Sequence, residues 1–185
     1  MAKLNDPVAY LAEHYVYEIN MLRTTYDALN SPRLLLISGD TFSWCVKNAL
    51  IEAFSIHARV LLDFYLCNPR NDDVVATDFT VPGATVGSNT AGLPSDLKVK
   101  INKQVAHLTA TRENTVKIDD SDRQTLFNAI EADHVAFKAA VRPQFSGCFS
   151  KETILSFTVP ATSPSATNSI MSGGSSFPAV SRQED

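Results

Sequence analysis

The chain has 185 residues, of which 16 are Lys or Arg and 20 are Asp or Glu, for a net charge of −4. This length fits one domain with enough chain left for a tail, and the near balance of charge excludes the global positive field of a strongly basic nucleic-acid binder, though not a local basic patch. The opening MAKLNDPVAY has no apolar targeting core, and nowhere do roughly 18 apolar residues run together, so a soluble cytoplasmic protein with no membrane partner is expected. Cys45, Cys67 and Cys148 show no paired spacing and read as buried free thiols.

Asn5 or Asp6 ahead of Pro7 is a helix start signal, and Val8, Leu11, Tyr15, Ile19, Leu22, Tyr26 and Leu29 then recur at steps of three and four. A softer stripe of Tyr10, His14, Tyr17 and Met21 is either a widened core face or a subunit contact. Asn30, Ser31 and Pro32 break this helix, and the short apolar run from Arg33 to Ile37 is either a helical turn or a buried extended segment. Gly39 and Asp40 lead into Thr41 to Leu66, the longest stretch without Gly or Pro. It is apolar around most of its circumference, which predicts the buried centre of a helical bundle. One polar stripe interrupts it: Asn48, Glu52, Ser55, Arg59 and Asp63 share a face.

The Pro-, Gly-, Asn- and Asp-rich residues 67–94 form a long loop, with a helical turn expected between Asp72 and Phe79; the loop is either a lid over the polar stripe or an insertion. Ser95 starts a third helix that reaches about Thr109 and buries Leu97, Ile101, Val105 and Leu108. Asp119 to Asp122 place acidic residues at the start of a fourth, which carries Leu126, Ile130, His134, Phe137 and Val141 inward and is stopped by Pro143. The expected fold is all-α, an up-and-down bundle of four main helices over residues 5–142. Residues 143–185 then form a Ser-, Thr- and Pro-rich tail with too little apolar surface to order itself, apart from a strand-like TILSFTV.

Signatures of a phosphate loop, a nucleophile elbow or a Cys-x-x-Cys pair are absent, and no cofactor is called for. Glu131 and His134 make one Glu-x-x-His step where a di-iron bundle needs two plus further glutamates, so a metal site would require His57, His107 and His134 to converge. The polar stripe also has a purely structural reading, with Arg59 and Asp63 as an ion pair one turn apart.

The segment KINKQVAHLTATR, Lys100 to Arg112, together with IEAFSIHARVLLDF in the central helix, resembles the HEPN superfamily of small bacterial helical-bundle proteins. The resemblance implies a homodimer and a site for RNA or a nucleotide, with metal-independent RNA cleavage in which a histidine works on the ribose hydroxyl and an arginine steadies the phosphate. His107 matches the motif histidine. The arginine position is held by Asn102 with a four-residue spacer, or by Lys100 with a six-residue spacer, so Arg59 or Arg112 would have to bring the cation, with Glu52 orienting it. The candidate site is therefore His107, Asn102, Lys100, Arg59 and Glu52. The alternative is a non-catalytic interaction module such as a toxin partner or defence-system scaffold.

Overall fold

The computed structural model describes residues 4–31, 41–66, 73–106 and 117–152, except for the side chains of 103–106, and it is mostly helical. Asp6 is the first cap: its carboxylate accepts from the Ala9 amide at 2.9 Å, with Pro7 in the opening turn. The helix continues as α1 (Pro7–Tyr10), a π turn (Leu11–Tyr15) and α2 (Val16–Asn30). Leu11, Tyr15, Ile19 and Leu22 are buried as the stripe predicts, while Val8 is exposed. The π turn accounts for this, since its extra residue resets the register between the first turn and the rest.

α3 (Thr41–Leu66) runs opposite to α2, because Tyr15 meets Tyr65, Glu18 meets His57 and Tyr26 meets Phe54. Since α2 stops at Asn30, the first turns of α3 extend past it. Only Ser43 is buried in that part, and Phe42 and Trp44 are 66% and 70% exposed. Burial all round therefore does not hold for α3: its second half, from Phe54 to Tyr65, forms the core, and its first half is an apolar overhang. Cys45 lies on the overhang and is exposed, contrary to expectation, whereas Cys148 is buried.

The described part of the long loop, from Asp73 onward, contributes Val75, Ala76, Phe79 and Leu93 to the core. A 3-10 turn at Ala76–Asp78 brings Phe79 against the rings of Tyr10, Phe64 and Phe145. The Val81 amide donates to the Ala140 carbonyl at 2.9 Å and the Arg142 amide to the Phe79 carbonyl at 3.0 Å. Gly87 has φ +80° and lies against the Tyr65 carbonyl, where a Cβ would not fit. α4 (Ser88–Ala91) is a single turn whose amides are held by Asp133: Asn89 N at 3.1 Å and Thr90 N at 2.8 Å.

α5 (Ser95–Ala106) buries Leu97 and Ile101 against α3. α6 (Asp120–Ala140) opens on a reciprocal cap, in which the Asp122 amide donates to Asp119 at 2.8 Å and the Asp119 amide to Asp122 at 3.2 Å. It buries Leu126, Ile130, His134 and Phe137. A 3-10 segment, Pro143–Lys151, then buries Phe145, Cys148 and Phe149. Packed structure thus continues through Glu152, past the expected boundary at 142, and residues 153–185 lie outside the described residues. Among the described residues no helix is long and apolar enough to cross a membrane.

Candidate functional site

Among the described residues, no hydrogen bond or ion pair joins the residues singled out by the motif to one another. His107 and Arg112 lie outside the described residues. Lys100 is spent on the start of α6: its ammonium donates to both Asp122 oxygens at 3.0 and 3.2 Å, with Asp96 at 4.0 Å. Asn102 is exposed on α5. Glu52 is exposed and Arg59 half-buried on α3, and neither is in an ion pair among the described residues. Ser55 leaves the polar stripe altogether, being fully buried and donating to the Ile51 carbonyl at 2.8 Å. The histidines take separate partners, His57 with Glu18 and His134 with Tyr15. Among the described residues no three His, Cys, Asp or Glu side chains gather as a metal cluster.

A different place has the shape of a site. Between the π turn and α3 lies a cleft of about 270 Å³ with Tyr15, Leu61 and Phe64 as its floor. Tyr10 and Val60 wall it, and His14 and Glu18 supply its polar groups. The π turn matters here, because such turns recur at functional sites and this one sets Tyr10, His14 and Tyr15 around one opening. His57 Nδ1 holds Glu18 Oε2 at 2.7 Å, the two side chains being 10% and 21% exposed. Burial, and then the Glu18 charge, push the Tyr10 phenol up from its ordinary value.

Behind the cleft floor runs a buried polar chain. Tyr15 Oη is 2.6 Å from Tyr65 Oη and 2.7 Å from His134 Nδ1. With the imidazole proton on Nε2, Tyr65 donates to Tyr15, Tyr15 donates to Nδ1, and Nε2 faces Glu152 Oε1 at 3.2 Å. That last contact is short but is not aligned as a hydrogen bond. The other Glu152 oxygen takes Lys138 at 3.0 Å and Arg23 at 3.5 Å, while Arg23 forks onto Glu131 at 2.7 and 2.8 Å. Burial pushes both phenols up. Burial also acts to raise the Glu152 carboxyl, but His134 and Lys138 outweigh it and bring it down to about 2.

No known protein family, curated protein or solved structure matches the chain. The site must therefore be read from its own geometry. The sequence showed Tyr15 only as a core position on its stripe, His134 as a core position or a metal ligand, and did not show Glu18 or Glu152 at all. One signal was available: Tyr10, His14 and Glu18 are spaced four apart, which puts two aromatic rings and a carboxylate in a row on one helical face.

Proposed function

We propose that this chain is a non-catalytic, cytoplasmic interaction module, an up-and-down bundle of four main helices that pairs with a second copy of itself through the outer face of α3. The observation that carries this reading is the make-up of that face. Ile56 and Val60 are 44% and 43% exposed, and Cys45 and Ala49 extend the apolar strip toward the overhang. Glu52 and Arg59 flank it. If two such helices meet antiparallel about a two-fold axis between Ser55 and Ile56, residues equally far from the axis face each other. Glu52 of each copy then meets Arg59 of the other, and Cys45 meets Leu66. Isologous pairing of this kind makes one patch complementary to itself, and charge pairs closed over apolar contact set register and orientation.

Light scattering on the purified chain tests this, with a dimer of twice the 20.2 kDa chain mass as the expected result. Glu52→Arg or Arg59→Glu alone should weaken pairing by about 10-fold or more, because each places like charges together twice. The combined exchange should restore it. A wild-type chain that stays monomeric at about 100 μM, well above the micromolar constants typical of weak specific pairs, would remove this reading.

A second reading keeps RNA or a nucleotide as ligand, with cleavage through His107. It is favoured by α5, which leads into His107 and packs on α3, the helix that carries Arg59, with Asn102 exposed. Incubation of the chain and of a His107→Ala variant with mixed-sequence RNA in EDTA decides it. Ends bearing 2′,3′-cyclic phosphate that vanish in the variant support it, and intact RNA removes it.

A further inference from the structure

The geometry points to the cleft between the π turn and α3 as a binding site for a small primary amine with an aromatic body, held by Glu18 as its counter-ion. This inference rests on the cleft and not on the pairing reading, although Val60 belongs both to the cleft wall and to the pairing face of α3. Size comes first. Drug-sized ligands occupy pockets of roughly 300–1,000 Å³, so about 270 Å³ selects a small molecule. Shape follows from the lining, where Leu61, Phe64 and Tyr15 make an apolar floor and Tyr10 stands as one wall. Tyr10 is braced by the His14 imidazole, with ring centroids 5.1 Å apart, and stacked on Phe79 at 6.3 Å. A flat ring can lie on that floor.

Charge decides the other end of the ligand. Glu18 is the one carboxylate lining the cleft among the described residues. Its carboxylate is fixed, since His57 Nδ1 takes Oε2 at 2.7 Å, and His57 is in turn held edge-on by the Tyr17 ring at 5.6 Å. No hydrogen bond to Oε1 is seen among the described residues, which leaves that oxygen as an acceptor for a ligand N–H. The aromatic lining, Tyr10 above all, adds the attraction of ring electrons for a cation. An anion would meet the carboxylate and the same negative ring faces and be repelled by both. A neutral ligand of the same shape would gain the floor but not the charge-assisted hydrogen bond.

The test uses the full chain and three probes of matched shape: 2-phenylethylammonium, 2-phenylethanol and 3-phenylpropionate. Each is titrated while tyrosine and histidine side-chain resonances are followed by NMR. Saturable shifts at Tyr10 and His14 are expected with the ammonium, with affinity at least about 10-fold weaker for the alcohol, as loss of a charge-assisted bond implies, and no saturation with the propionate. Glu18→Gln, which keeps the shape and a partner for His57, should weaken the ammonium by a similar factor while leaving the alcohol unchanged. Tyr10→Leu should weaken the ammonium by a few-fold through loss of the π face. Non-saturating shifts with the ammonium, equal affinity for the alcohol, or a folded Glu18→Gln variant that binds the ammonium undiminished would each overturn the proposal. If Glu18→Gln does not fold, the comparison of the three probes on the native chain still decides.

Discussion

The molecule contains two histidine–glutamate pairs of the same composition and different surroundings. His57 and Glu18 join α3 to α2 at 2.7 Å beside an open cleft, with 10% and 21% of their side chains exposed. His134 and Glu152 join α6 to the last described residue at 3.2 Å, with 2% and 11% exposed, and Lys138, Arg23 and Tyr15 complete their surroundings. A pair near water gains little net stability, because solvent screens it and competes for it. A pair out of water is costly to break, because the remaining partner is left charged or unsatisfied in a poor solvent. The same two side chains are thus expected to serve recognition in one place and to fasten the chain after the 3-10 segment to α6 in the other.

The largest effect should come from the buried pair. His134→Ala opens a cavity beside Tyr15 and Phe149, removes the acceptor of the Tyr15 hydroxyl, and takes one partner from Glu152. Together these should cost about 3 kcal/mol, measured as a lower midpoint in urea denaturation at pH 7. A loss below about 1 kcal/mol, the range of exposed pairs, would mean that burial does not distinguish the two pairs.

A smaller effect is expected from pH. The Glu152 carboxyl titrates at about 2 in the folded chain, against 4.5 for an unperturbed group. Between those values the unfolded chain binds the extra proton, so the stabilisation is complete above about pH 4.5 and is lost as pH falls toward 2. After allowance for partial solvent access it amounts to about 2 kcal/mol. Urea midpoints taken from pH 6 to pH 2.5 should show a drop in the native chain that is shallower in Glu152→Gln. Parallel curves for the two proteins would show that Glu152 is not held by its cationic neighbours.

What the sequence revealed of this arrangement follows from the range of each signal. The helical stripes, the Asp6 cap and the acidic start of α6 were legible because they depend on neighbours within a turn or two. Burial along α3 was read for the whole helix but holds only where α2 lies alongside. Periodicity reports which face is apolar, not how far a partner extends. Lys100 could be placed on its helix face but not assigned to Asp122, since that pairing joins two helices across 22 positions of sequence and helical periodicity reports only neighbours within a turn or two. Tyr15 and Tyr65 were hidden for another reason: on an apolar stripe a tyrosine counts as core, and its hydroxyl has no periodic signature. Glu152 fell beyond a boundary drawn where Ser, Pro and Gly become frequent. Composition there missed Phe145, Cys148 and Phe149, which are enough to dock one 3-10 segment.

The smallest effect should come from His57→Ala. Its ring is buried but lies at the edge of the core, touching Tyr17 and Glu18, so the loss should stay at about 1 kcal/mol, the range of a single hydrogen bond. Stability alone would make this pair seem dispensable. Its consequence is expected elsewhere, because without His57 the Glu18 carboxylate loses the contact that fixes its direction, and a ligand must then order it at its own entropic cost. Urea denaturation and titration with 2-phenylethylammonium, performed on the same variant, should therefore diverge: a nearly unchanged midpoint and a few-fold weaker affinity. A midpoint loss as large as that of His134→Ala would place His57 in the structural class and erase the contrast between the two pairs. Unchanged affinity would show that Glu18 is positioned by its helix and not by the histidine.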